Sequence, residues 1–159
     1  KKDGMMFSYR ETGIFYSKVN YTQGEKNGIF QSFHPNRSLE SKVNYVNGEK
    51  HGLFEKFYNN EQLEKRVEFR NDKSTGIYEE FFTTGELMLT VNHAEGVRQG
   101  IQLTLFRDGS TQSRGYFMDG EKVGLHVRFT PDGDLERSWC YKRGREVSIS
   151  HCENWQPPS

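Results

Sequence analysis

A glycine returns every 24 residues along this chain, and this spacing constrains the fold more than any other feature of the sequence. The recurring glycines are Gly4, Gly28, Gly52, Gly76, Gly100 and Gly124. A large apolar residue follows each of them directly, and further apolar residues recur five, fifteen and seventeen positions later in most units. A fixed period of this kind is typical of repeat proteins, in which each unit buries its apolar surface against its neighbours.

Inside each repeat, apolar and polar residues alternate, which is the pattern of half-buried strands. Numbering columns by distance from the repeat glycine, columns 1, 3 and 5 alternate, and so do columns 11, 13, 15 and 17. Turn sequences such as Asn47-Gly48 and Asp108-Gly109 separate these stretches. The sequence therefore predicts an all-β fold, an elongated antiparallel β-meander of six 24-residue β-hairpin repeats.

We expect a single repeat domain over residues 1–159, with repeats that start near residues 4, 28, 52, 76, 100 and 124. Residues 148–159 are expected to close the open end of the meander as a capping strand and tail. Within this region, Val147 to His151 are predicted to add a thirteenth strand, and the tail from Glu153 to Ser159 contains Trp155.

The segment GIFQSFHPNRSLESKVNYVNGEKHG, from Gly28 to Gly52, resembles the bacterial variant of the MORN repeat. The resemblance extends over roughly residues 4–147 and implies the hairpin-repeat fold described above. Asp72, in place of a turn glycine, and Gly115, in place of the valine of column 15, depart from the pattern. Proteins built of this variant are often labelled YwqK-type antitoxins, and some resemble immunity proteins of bacterial toxin-secretion systems.

The resemblance implies a non-catalytic, protein-binding function. We expect an immunity or antitoxin-type protein that neutralises a bacterial toxin effector by occluding it. An envelope-directed phospholipase of a type VI secretion system is the leading candidate for that effector. The alternative is a structural or membrane-associated scaffold of the MORN type, and self-association through an apolar face or an edge strand also stays open.

The columns also predict which residues contact a partner. If each hairpin turn is centred nine residues after the glycine, columns 1, 3 and 5 pair with columns 17, 15 and 13 and form the packed face. The opposite face then carries mixed charges, except in repeats four and five, where it is apolar and predicts a binding patch. The patch residues are Tyr78, Phe82, Met88, Phe106, Tyr116 and Met118. Two other interpretations stay open: the tail with Trp155 folds back over the patch, or the curved sheet buries it.

Composition excludes several other functions. The 22 Lys and Arg residues balance the 22 Asp and Glu residues, whereas a nucleic-acid-binding protein needs a basic excess or a basic face. No apolar run is long enough for a transmembrane helix.

The sequence contains no nucleophile elbow, phosphate loop or dinucleotide fingerprint. The five histidines are scattered and lack metal-ligand spacing. His93 occupies a column-17 position that elsewhere is mostly Tyr or Phe, which favours a packing role. We therefore predict no enzyme activity, no catalytic residues, no cofactor and no metal site.

Cys140 and Cys152 are the two cysteines of the chain. Their proximity near one end favours a disulfide, with two free thiols as the alternative. A disulfide favours a periplasmic or exported protein, and a cytoplasmic location is the alternative.

Overall fold

A computed structural model describes residues 1–157, and its strands form one antiparallel sheet. Consecutive strands lie side by side, so the sheet is a meander one peptide layer thick. Pro158 and Ser159, part of the expected tail, lie outside the described residues. The prediction of an all-β meander of hairpin repeats is confirmed.

Each full repeat supplies a pair of long strands, and two short strands extend the turns between early repeats. The first eight strands are β1 (Gly4–Tyr9), β2 (Phe15–Thr22), β3 (Glu25–Lys26), β4 (Gly28–Phe33), β5 (Leu39–Val46), β6 (Glu49–Lys50), β7 (Gly52–Phe57) and β8 (Leu63–Arg70). The others are β9 (Lys73–Phe81), β10 (Leu87–Ala94), β11 (Val97–Leu105), β12 (Thr111–Met118), β13 (Glu121–Phe129), β14 (Leu135–Lys142) and β15 (Arg145–Val147). A short 3₁₀ helix, Ile149–Cys152, follows β15.

Two-residue turns join each hairpin to the next. Their central residues both have positive φ, as in Asn47 (50°) and Gly48 (86°), which is the type I′ geometry that matches the twist of paired strands. Asp72 keeps this geometry at φ 63° without being glycine. Its carboxylate accepts a hydrogen bond from the Lys50 backbone N–H at 2.9 Å, which holds the turn against the preceding one.

The loop inside each hairpin changes the predicted strand register. In repeat two the His34 N–H donates to the Ser38 carbonyl at 2.9 Å, and a bulge follows, with Glu40 as the extra residue. As a result Ile29 pairs with Asn44, and Phe30 pairs with Val43. The predicted pairing of column 1 with column 17 is therefore wrong by one residue. Because side chains alternate along a strand, this shift places the column-1 side chains on the face opposite to the column-15 valines.

The C-terminal end also differs from the prediction of a thirteenth strand over Val147 to His151. The last strand ends at Val147, which pairs with Cys140, and the chain then turns into the 3₁₀ helix. This helix carries Cys152, which forms a disulfide with Cys140, and no strand follows β15 in the described residues.

Candidate functional site

One face of the sheet carries the column-15 valines and the residues paired with them, and we call it the valine face. Val43 is 3 % exposed and stands directly opposite Phe30. The rings of Phe30 and Tyr45, two residues along from Val43 on the same strand, meet edge to face at 6.3 Å. Aromatic rings on either side thus cover the small valine, which explains its burial in a single-layer sheet.

A row of cations crosses the valine face above its column-17 aromatic rings. The pairs, with the distance from the charged group to the ring centroid, are Lys2 over Tyr21 (5.3 Å), Lys26 over Tyr45 (4.9 Å), Lys50 over Phe69 (5.0 Å), Arg98 over Phe117 (4.4 Å) and Lys122 over Tyr141 (4.9 Å). These distances are typical of cation–π contacts. The neutral overall charge of the chain therefore conceals a repeated positive charge on this face.

Repeat four interrupts the cation row with a neutral pair. The Ser74 hydroxyl lies 2.6 Å from Nδ1 of His93, and the His93 ring stacks on Tyr78 with centroids 5.2 Å apart. Burial lowers the pKa of His93, and the charge of Arg98 lowers it further. His93 is thus held in its neutral form as a packed residue of the face.

The opposite face carries a row of exposed aliphatic side chains at column 1, and we call it the isoleucine face. The exposed fractions are 51 % for Met5, 60 % for Ile29, 45 % for Leu53, 63 % for Ile77 and 55 % for Ile101. The sequence predicts these residues in the packed face, but the one-residue register shift places them on the solvent-exposed side. The predicted packed face thus contains the most exposed apolar row of the repeats.

Ion pairs flank this aliphatic row. Lys42 Nζ lies 2.6 Å from Glu55, and Arg66 Nε lies 2.5 Å from Glu79. The hydrogen bond with Glu79 raises the pKa of the Arg66 guanidinium. Each pair links neighbouring hairpins, so the row is bordered by charges that are already neutralised within the chain.

The C-terminal segment covers the end of the isoleucine face. Cys140 and Cys152 form a disulfide with an S–S distance of 2.00 Å. Beyond it, the Trp155 ring packs against Tyr116 at 5.6 Å and lies over Gly124, where a side-chain Cβ would come within 2.1 Å of the ring. Trp155 and Leu125, the column-1 residue of repeat six, line a shared cavity of about 240 Å³. At the last position of the row, Trp155 of the chain itself thus lies beside the column-1 residue Leu125.

The structure does not bring the six predicted patch residues together on one face. Tyr78 pairs with Val91 on the valine face and donates a hydrogen bond to Glu80. Tyr116 pairs with Ile101 on the isoleucine face, and Met118 follows two residues later on that face. The prediction of a single shared face is wrong because it pairs column 1 with column 17, whereas column 1 pairs with column 16 in the structure.

The other three predicted residues lie at the hairpin ends. Met88 is the extra residue of the bulge between Leu87 and Leu89. Phe82 and Phe106 begin the hairpin loops, at the column where Tyr58 donates a hydrogen bond to the Phe81 carbonyl at 2.8 Å. Whether any of the six contacts a partner stays a prediction.

The described part of the chain contains neither a metal-binding cluster of side chains nor a helix that could span a membrane. Residues 1–157 contain no group of three His, Cys, Asp or Glu side chains arranged to hold a metal ion. None of the helical segments described there has the length and apolar character needed to cross a membrane.

These features define a class: a single-sheet β-hairpin repeat protein with side chains displayed on two faces. Residues 26–47 and 50–71 match the family model described as a MORN repeat variant. A comparison with curated protein sequences finds no match.

Solved structures match this chain at low similarity. A mutant of Staphylococcus aureus TarM in complex with Fondaparinux, alpha-GlcNAc-glycerol and UDP is 14 % identical, with a TM-score of 0.40, over 76 % of this chain and 21 % of that one. Accessory secretory proteins 1, 2 and 3 of Streptococcus pneumoniae give 12 % identity and a TM-score of 0.28, over 80 % of this chain and 19 % of that one. The chain thus spans about a fifth of the length of these proteins.

Proposed function

We propose that this protein binds a partner protein along the aliphatic row of its isoleucine face. The observation that carries the proposal is the series of five column-1 side chains, each about half exposed, one hairpin apart. Asn44, Glu68 and Asn92 stand opposite three of these side chains, so the row consists of separate apolar side chains about one hairpin apart. Burying such side chains against a partner removes apolar surface from water, which favours association. Neutralised ion pairs beside the row leave few charges to desolvate on binding.

The sheet geometry suits an elongated interface. Neighbouring strands lie about 4.8 Å apart, so each two-stranded hairpin advances the row by about 10 Å. The interface of a stable complex takes about 800 Å² from each partner, an area that two or three hairpins can supply. A preformed sheet also loses little conformational entropy on binding.

The chain itself indicates what kind of side chain fits the row. At its last position Trp155 packs beside Tyr116, and it lines a cavity together with Leu125. We propose that the partner presents aromatic or aliphatic side chains at the earlier positions in the same way. Tyr116 and Met118, two residues of the predicted patch, border the row beside Ile101 and extend it.

The resemblance to immunity proteins suggests the partner's identity. We propose a bacterial toxin effector, with an envelope-directed phospholipase of a type VI secretion system as the leading candidate, inhibited by occlusion of its active-site entrance. The Cys140–Cys152 disulfide supports a periplasmic or exported location, since such bonds persist in oxidising compartments.

The test is a binding assay against the toxin encoded beside the gene, with Ile77→Asp plus Ile101→Asp. Burying two carboxylates should weaken binding at least about tenfold. Leu135→Asp is the matched control, because Leu135 is an equally exposed aliphatic residue (60 %) outside column 1. Equal affinity of the double variant and the control would reject the isoleucine face.

Light scattering distinguishes binding of a toxin from self-association of this chain. We expect a monomer for the unliganded protein. A dimer that dissociates after the Ile77→Asp and Ile101→Asp changes would assign the row to self-association instead.

A further inference from the structure

A cavity of about 430 Å³ opens on the valine face between repeats five and six. It lies where the repeat pattern changes on both paired strands. In repeats two to four an aromatic residue stands opposite a valine, as Phe54 does opposite Val67. In repeat five the corresponding pair is Gln102 opposite Gly115, so the aromatic ring and the valine side chain are both absent.

The lining of this cavity is basic. Arg98, Arg114, Lys122 and Arg128 line it, and no Asp or Glu among residues 1–157 does. Arg114 pairs with Leu103 and also lines the cavity of the isoleucine face, so by strand alternation its side chain is on the other side of the sheet. Arg128 Nε forms an ion pair with Glu136 at 3.3 Å. Within the same residues, Arg98 and Lys122 have no carboxylate within ion-pair distance. The cavity therefore has an excess of about two positive charges at neutral pH.

The two cations are held in position by their surroundings. Arg98 Nη1 donates a hydrogen bond to Gln102 Oε1 at 3.2 Å, and its guanidinium lies over the Phe117 ring. The Lys122 ammonium lies over Tyr141. Both cations are thus placed before a ligand arrives, which lowers the entropic cost of binding.

Neutral polar groups also line the cavity, together with aromatic residues such as Phe117 and Trp139. Thr104 and Ser113 form a cross-strand pair on this face, and Gln112 lies beside them. Their hydroxyl and amide groups can donate hydrogen bonds to a ligand. His126 Nε2 donates to the Tyr116 carbonyl at 3.0 Å, and burial lowers the pKa of its ring, so it adds polarity without charge.

We propose that this cavity binds the phosphate group of a small phosphate monoester. Arg98 and Lys122 match the near-double negative charge of a phosphate monoester at neutral pH, whereas a carboxylate would neutralise only one of them. The volume suits a ligand of small-metabolite size, and the amide and hydroxyl donors face its uncharged body. This site is on the opposite face from the aliphatic row and does not depend on the proposed protein partner.

The test is a calorimetric and NMR titration of the folded protein with glucose 6-phosphate, with glucose as the uncharged ligand. We expect saturable binding of glucose 6-phosphate, competition by inorganic phosphate, and no binding of glucose. Amide shifts should concentrate at Gly115, Phe117 and Lys122. Arg98→Gln and Lys122→Gln should each weaken binding about tenfold or more, since each removes a charged hydrogen-bond donor.

Two further variants distinguish binding in the cavity from general electrostatic attraction to the positively charged face. Lys50→Gln is the matched control, because Lys50 lies over an aromatic ring as Lys122 does, next to a position that Phe54 and Val67 fill. It should leave the affinity unchanged. Gln102→Phe restores the repeat pattern without altering the charge and should abolish binding by filling the cavity.

Several results would overturn the proposal. Equal losses for Lys50→Gln and Arg98→Gln would show diffuse attraction along the cation row. Full affinity in a folded Gln102→Phe variant would place the phosphate elsewhere. Binding of an acidic polymer such as polyglutamate, with no saturable binding of glucose 6-phosphate, would assign the face to an acidic macromolecule.

Discussion

At the scale of single residues, Gly115 shows how one missing side chain changes its surroundings. It replaces the column-15 valine and is buried, and a Cβ there would lie 2.0 Å from His126 Nδ1. The imidazole occupies the space that a side chain would need. The glycine thus permits two things: the buried position of His126 and the open cavity beside it.

We expect Gly115→Ala to destabilise the protein by about 1–3 kcal/mol, as overpacking of a filled site does. Gly115 has an ordinary strand φ, so alanine without the clash would be tolerated. Urea unfolding of Gly115→Ala, His126→Ala and the double variant measures the effect. The double variant should lose less stability than the sum of the two, and strict additivity would contradict the steric explanation.

The two half-buried or buried histidines make stability depend on pH. Burial lowers the pKa of both His93 and His126 below the usual value of 6.5, so the unfolded chain binds more protons at mildly acidic pH. Their contribution is complete above pH 6.5 and is lost as the pH falls through the lowered values. We expect the free energy of unfolding to decrease from pH 7.5 to pH 5.5.

The variant His93→Tyr with His126→Gln tests this origin. Tyrosine is the residue at column 17 in repeats one and two, and glutamine occupies column 2 in repeat five. Urea titrations at the two pH values should show a smaller difference for this variant than for the wild type. An unchanged difference would assign the pH dependence to other groups.

At the scale of the hairpin, the loop decides which side chains share a face. The turn sequences and the period of 24 residues predict the number and order of the long strands correctly. The bulge residues, such as Glu40 and Glu64, have no signature in the alternation, because polar residues also occupy regular exposed positions. The resulting shift exchanged the expected environments of Ile29 and Phe30.

A specific signal for this register was present in the loops. The ninth column holds a glycine in four repeats, at Gly13, Gly85, Gly109 and Gly133, and it adopts a positive φ in all six repeats, at Arg37 and Glu61 as well. A positive φ at this position favours a three-residue loop over a two-residue turn, and so changes where the two strands begin to pair. The cavity between repeats five and six depends on this register. The alternation of apolar and polar residues does not give the register, so it does not predict the cavity.

The disulfide connects the last hairpin to the 3₁₀ helix. Cys140 and Cys152 are 12 residues apart, and closing a loop of this size contributes about 3 kcal/mol in the chain-entropy description. We expect Cys140→Ser with Cys152→Ser to increase hydrogen exchange in β14 and β15. The same variant should change Trp155 fluorescence, because the ring loses its fixed position over Gly124. Unchanged exchange in β14 would contradict a stabilising role.

At the scale of the whole molecule, the sheet has no second layer and no central core in the part of the chain that the structure describes. Each strand contacts the strands next to it in sequence, and the buried valines repeat at intervals along the meander. Stability in such an array is close to a sum of local and nearest-neighbour contributions. Distant repeats should therefore respond independently to a substitution.

Val43→Ala tests this independence. Val43 is 3 % exposed, and its truncation leaves a gap beside Phe30. Hydrogen-exchange mass spectrometry should show faster exchange in β4, β5 and their neighbours, with β13 and β14 unchanged. A uniform increase over all strands would indicate a single cooperative unit. Val127→Ala at the other end of the sheet, where Val127 is 7 % exposed, should give the reverse pattern.

The one-layer meander also determines how such a protein changes in length. Duplicating a hairpin adds two strands at an interface that every other hairpin already uses, and deleting one rejoins two equivalent edges. Each added unit lengthens the molecule by about 10 Å. The number of 24-residue repeats encoded in the gene thus determines the length of the sheet. Adding or removing one repeat leaves the sequences and contacts of the other repeats unchanged.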